Sequence, residues 1–187
     1  MSSIENTSID ASIIHAIKHG TMNISRYQKL FGVGPLGMLI GVVLLGLLWI
    51  LDRTLHHVEI FGQPRTPRII GSILIALWIV WYAWSIRTIS RWWRHDQLCT
   101  TGPYRFVRHP IYGGVLGVIS GIALIFNSWI ILPLPLLMYV TYSILVRKEE
   151  AMMTGVFGEE YKRYAARTGR FFPSIVAGRK ETSGSGL

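Results

Sequence analysis

Apolar residues run without a single Asp, Glu, Lys or Arg from Leu30 to Leu51, from Ile69 to Ile86 and from Pro110 to Val146. A membrane span needs roughly 20 apolar residues, so the first two runs each predict one helix and the third predicts two. Asn127-Ser128 and Pro133-Leu134-Pro135 supply turn and breaker residues that split the third run into a hairpin. Its halves, Ile111–Phe126 and Trp129–Val146, fall slightly short of a full span. The pattern predicts an all-α integral membrane protein of about four transmembrane helices, near residues 33–51, 69–86, 111–126 and 129–146. The last two form a helical hairpin.

The flanking segments change period. In residues 1–30, Ile9, Ile13, Ile14 and Ile17 recur at helical spacing after capping residues Ser8 and Asp10, which predicts an amphipathic helix lying on the surface. After Glu149, residues Met153, Phe157, Tyr161 and Tyr164 fall near one helical face. Residues 147–173 are therefore expected to form a cytoplasmic helical lid, closing over a cleft or resting on the membrane. Residues 176–187 are polar and rich in Gly and Ser, the composition of a disordered tail. One domain, 31–175, remains. No basic-then-apolar leader precedes the first run, which is expected to serve as its own insertion signal.

Charge orients this arrangement. The net charge of +9 at pH 7 comes from 19 Lys and Arg against 10 Asp and Glu. With four spans, the N-terminal segment, the second loop and the C-terminal segment share 16 of those bases, and the first loop holds three, Arg53, Arg65 and Arg68. Basic residues accumulate on the cytoplasmic side, so both termini and the second loop are expected there, in a bacterial-type inner membrane. The basic excess then reflects topology and anionic headgroups, and a nucleic-acid partner is not expected. Oligomeric state is left open by the glycine faces Gly37/Gly41 and Gly113/Gly117/Gly121, which suit packing within a chain or between chains.

Several motifs carry little. Gly32-Val-Gly-Pro-Leu-Gly37 has the letters of a dinucleotide fingerprint, but a membrane run follows and no strand precedes it. His15 and His19 have the spacing of a metal pair without a third ligand, so no metal site is expected. His56-His57 reads as a solvated loop. Cys99 has His95 four residues before it, the spacing of an activated thiol on a helix, yet no third group orients the pair. As the chain's single cysteine, Cys99 has no disulfide partner within it.

The strongest constellation flanks the final hairpin. Tyr104, Arg105, Arg108, His109 and Tyr112 stand at its start; Arg147, Lys148, Glu149 and Glu150 stand at its end. A hairpin returns the chain to the face it left, so both clusters are expected at one cytoplasmic surface. Pro110 favours an extended His109 and a helix start just after it, whose backbone N–H groups offer an anion seat. A carboxylate suits Arg108, His109 and that helix start; an ammonium suits the paired glutamates; a cation or flat base suits the tyrosines. S-adenosylmethionine carries all of these groups.

The segments "HDQLCTTGPYRFVRHPIYGG" (95–114) and "RKEEAMMTGVFGEEYKRYAARTGRFFP" (147–173) resemble the signature of the isoprenylcysteine carboxyl methyltransferase and phospholipid methyltransferase superfamily. Gly-Pro-Tyr, Arg-His-Pro-x-Tyr, Glu-Glu, Phe-Gly-x-x-Tyr-x-x-Tyr and Arg-Phe-x-Pro occur in the family's order. Size and apolar runs are similar to those of a short prokaryotic member. The resemblance implies an integral membrane methyltransferase that uses S-adenosylmethionine between its last helices and C-terminal segment, acting on a lipid or lipophilic small molecule. It implies cofactor binding by Tyr104, His109, Tyr112, Gly113, Glu149, Glu150, Tyr161 and Tyr164. It makes Arg108 and Arg167 candidates for orienting the substrate. Where the acceptor must lose a proton, Glu150 is the expected base. An NADPH-dependent membrane reductase of the sterol-reductase type and a noncatalytic membrane protein are the alternatives.

Overall fold

The computed structural model describes residues 34–55, 57, 59–92 and 97–174. The amphipathic segment 1–30, the His15/His19 pair, His56, His95 and the tail 176–187 lie outside them. The described residues form five α-helices and no strand: α1 Gly34–Thr54, α2 Arg65–Trp92, α3 Pro110–Phe126, α4 Leu134–Phe157 and α5 Glu159–Arg167. A single 3-10 turn, Gly102–Arg105, interrupts the α2–α3 connection.

Helices α1 and α2 are long and apolar enough to cross a membrane. Their pattern is inverted relative to a soluble core. Only Gly37, Gly41 and Asp52 of α1 and Pro67, Gly71 and Ser85 of α2 are buried. Leu39, Val42, Leu47, Ile73, Leu77 and Val80 face outward. Small residues inward and large apolar ones outward is how helices associate in lipid.

Close packing assigns the glycines to contacts within the chain. A Cβ on Gly71 would lie 2.6 Å from the Gly121 carbonyl oxygen. Gly117 leaves room for the Trp78 ring and Gly37 for the Tyr142 ring. These contacts join α2 to α3 and α1 to α4. Around them Leu116, Leu134, Met138, Tyr142, Val146 and Phe171 form the buried core.

The hairpin forms at the expected breakers. Asn127 ends α3 in the left-handed region (φ 50°), and residues 129–133 are turn rather than helix, so the last helix begins five residues later than anticipated. It also does not stop at Val146. Leu134–Phe157 is one continuous helix, and the chain breaks only at Gly158, whose φ of 55° favours glycine. The first half of the expected lid is thus a rigid extension of α4.

The end of the bundle away from the Arg108–Tyr112 cluster corrects the reading of His57 as merely solvated. Asp52, buried, accepts hydrogen bonds from the Ser128 hydroxyl and, at 2.7 Å, pairs with His57 Nδ1. The Asn127 amide meanwhile bonds both the N–H and the carbonyl of Phe61. Together they pin the first loop to the hairpin turn.

Substituting Gly117→Val drives two methyl groups toward the Trp78 indole. It is expected to destabilise the protein by about 1–3 kcal/mol, read as a lower thermal transition in detergent, whereas Gly46→Val, where open space surrounds the residue, leaves the transition in place.

Candidate functional site

The site is built where three stretches of chain converge: the α2–α3 connection, the charged turns of α4, and α5 with the strap that follows it. In the connection, Gly102 (φ 56°) packs against Thr88 and turns the chain so that Tyr104 is buried, its carbonyl accepting from the Tyr164 hydroxyl at 2.7 Å. Pro110 opens α3, with the Trp81 indole N–H donating to its carbonyl at 3.0 Å. His109, just before it, stacks on Tyr112, which stacks on Tyr142.

The expected juxtaposition is present. The Tyr112 hydroxyl donates to Glu149 Oε1 at 2.8 Å, 37 residues along the chain. His109 lies between the two carboxylates, Nδ1 at 3.7 Å from Glu149 Oε2 and Nε2 at 3.4 Å from Glu150 Oε1. From the other side, Tyr161 and Tyr164 of α5 bury together with Leu98. These groups enclose a cavity of about 230 Å³ whose remaining wall is mostly apolar, including Ile89, Trp92, Met152 and Phe157.

Six predicted cofactor-binding residues line that cavity: Tyr104, His109, Tyr112, Glu149, Tyr161 and Tyr164; Arg108 lines it too. Three predictions are corrected. Gly113 stands outside the lining, because its missing side chain makes room for the strap: a Cβ there would meet the Phe171 carbonyl oxygen at 2.6 Å. Arg167 is exposed, its Nε reaching back to the Arg163 carbonyl at 3.3 Å, and it does not reach the cavity. Glu150 sits behind the cavity wall, held by cations. Arg108 Nε donates to it at 3.0 Å and Arg170 grips both oxygens, at 3.2 and 2.7 Å.

Those partners decide the chemistry of Glu150. Burial alone would push its carboxyl up; His109, Arg170 and Arg108 outweigh burial and bring it to about 2. Such a carboxylate stays charged near neutrality and is a weak proton acceptor, which argues against the general-base role. Arg108 likewise serves structure as well as the cavity: its Nη1 bonds the Ala165 and Thr168 carbonyls at the end of α5, at 2.6 and 2.5 Å. Burial raises the Tyr104, Tyr161 and Tyr164 phenols, keeping all three as protonated hydroxyls. Burial also raises the Cys99 thiol, which lines the cavity from non-helical chain; His95 lies outside the described residues. The anion seat is partly spent, since the His109 amide donates to the Arg170 carbonyl at 2.9 Å.

The residue that sequence reasoning passed over is Arg170. Its Arg-Phe-x-Pro element was visible, but nothing in its spacing tied that arginine to Glu150. Because folding lowers the Glu150 carboxyl below its unfolded value, its pairing stabilises fully above about 4.3 and that stability is lost as pH falls toward about 2. Glu150→Gln is expected to lower the thermal transition near neutral pH and to flatten the acid dependence across that window. An identical pH profile in the variant contradicts the pairing.

Comparison with known proteins converges on the same stretch. The phospholipid methyltransferase family matches residues 66–160, from α2 through both carboxylates to the start of α5. The cobalt-zinc-cadmium resistance protein CzcN of Cupriavidus metallidurans is 30% identical over 108 residues, 53% of this chain and 50% of that protein. The nickel-cobalt-cadmium resistance protein NccN of Alcaligenes xylosoxydans xylosoxydans is 29% identical over 108 residues, with the same shares. The chain thus spans about half the length of these curated relatives. No solved structure matches it. The family match covers half the chain and includes most of the cavity wall and its acidic pair; the chain belongs to the phospholipid methyltransferase family.

Proposed function

We propose that this protein is an S-adenosylmethionine-dependent methyltransferase whose acceptor is a lipid or lipophilic small molecule. The observation that carries the reading is the Tyr112–Glu149 hydrogen bond of 2.8 Å, which unites the basic-aromatic and acidic clusters around one cavity. Family membership supports methyl transfer and membrane association. Charge asymmetry supports a cytoplasmic cavity and cytoplasmic termini, with α3 and the apolar part of α4 completing four spans. Outward-facing Leu136, Leu137, Val140 and Ile144 on α4 suit that placement.

The residues fit the cofactor. His109 Nε2 is buried and makes no well-aligned hydrogen bond, its nearest acceptor being Glu150 Oε1 at 3.4 Å, so a ligand group can still satisfy it. Glu149 offers a carboxylate to an ammonium, and the tyrosines offer ring faces. When bound, S-adenosylmethionine supplies an electrophilic methyl group on a sulfonium. The protein's own work is then alignment and exclusion of water, for which Met152, Phe157 and Trp92 form the dry wall. A carboxylate or thiolate acceptor needs no base. An amine acceptor must lose a proton, and the paired Glu150 is poorly suited to take it.

Calorimetric titration of the detergent-purified protein with S-adenosylhomocysteine and with NADP tests the assignment. Binding of the first and not the second is expected; the reverse favours the reductase, and binding of neither overturns a methyl-donor site. Glu149→Gln is expected to weaken S-adenosylhomocysteine by about tenfold or more, the worth of one charged hydrogen bond. Incubating membranes with methyl-labelled cofactor, then extracting lipid, identifies the acceptor fraction.

A further inference from the structure

Arg170 takes no part in lining the cavity, yet it is linked to His109 twice, at the backbone amide and by way of Glu150. Its carbonyl accepts the His109 amide at 2.9 Å, and its guanidinium grips both oxygens of Glu150, the carboxylate 3.4 Å from His109 Nε2. The strap that carries it is laid against the α2–α3 connection by two more backbone bonds, Arg108 N to Gly169 O at 2.8 Å and Gly169 N to Phe106 O at 3.2 Å. Phe171, the next residue, is buried beside the His109 ring. We infer that Arg170 is a positioning residue for methyl transfer: through Glu150 and through its own carbonyl it fixes the orientation of His109 toward the bound methyl donor.

Geometry separates this role from simple lid closure. Arg108 already ties α5 to the connection through the Ala165 and Thr168 carbonyls, so closure has its own fastening. What Arg170 adds is the second oxygen of Glu150. With that fork removed, one oxygen loses its partner and the carboxylate can turn about Arg108 alone, taking the acidic neighbour of His109 with it. Lysine at this position keeps the charge but offers a single ammonium in place of the planar fork. It therefore restores attraction without restoring orientation.

The inference rests on the methyl-donor reading of the cavity, and the test tells the two apart. S-adenosylhomocysteine is titrated into wild type, Arg170→Lys and Arg170→Met in detergent, with thermal unfolding of each recorded alongside. About tenfold weaker binding is expected for Arg170→Met, with Arg170→Lys in between and folded like wild type. Arg170→Met is also expected to lose more affinity than wild type as pH falls, because Glu150 without Arg170 takes up a proton at higher pH. A purely structural arginine lowers the thermal transition without introducing that acid dependence. Should Arg170→Met not fold, the affinity and pH profile of Arg170→Lys decide. Wild type that fails to bind overturns the methyl-donor reading and the inference with it. Wild type that binds, with both variants matching its affinity and pH profile, overturns the inference alone.

Discussion

Two consecutive carboxylates on α4, one turn beyond the charge-free run that ends at Val146, impose the constraint on which the cavity depends. Partly buried charges must be compensated, and these two are compensated by different partners on different sides. Glu149 takes the Tyr112 hydroxyl on the cavity side, and Glu150 takes Arg108 and Arg170 behind it. Neighbours on a helix point about 100° apart, so the pair can serve both sides at once. The α2–α3 connection, α4 and the strap after α5 are thereby tied together around one ring, that of His109.

The division of labour between adjacent glutamates follows from desolvation. A carboxylate committed to two guanidinium groups has little left to give a ligand. Its neighbour Glu149, bonded by the Tyr112 phenol and 3.7 Å from His109 Nδ1, lines the cavity itself. A basic-aromatic entrance thus retains a local acidic character suited to a cationic partner, although the protein as a whole carries +9.

Much of this was legible in the sequence because it depends on periodicity and sign of charge. Charge-free runs located the helices, Asn127 and Pro133 the turn, and hairpin logic the meeting of Tyr112 with Glu149. Other features depend on where a helix stops or which way a strap runs, and apolar patterning does not record those. Arg147 to Glu150 end the apolar run yet favour helix, so α4 continues where hydrophobicity alone would end it. Arg167 and Arg170 stand three residues apart. Because α5 ends at Arg167 and the chain then turns extended at Thr168, the second arginine meets Glu150 and the first does not. Gly113 read as a ligand contact for a similar reason: the backbone that crosses it arrives from 58 positions away, at Phe171. Asp52, at the end of the first helix, joins His57 of the following loop to Ser128, which is 76 residues distant from the aspartate.

The unbroken course of α4 has a mechanical meaning. Between Leu136 and Glu150 there is neither glycine nor proline to act as a hinge, so the segment is a stiff rod roughly 20 Å long. One end is moored at the hairpin turn, where Asp52 and Asn127 hold the first loop; the other carries the acidic pair. A change in tilt swings both ends as a lever does, so the geometry of the cavity is geared to an anchorage at the far end of the bundle.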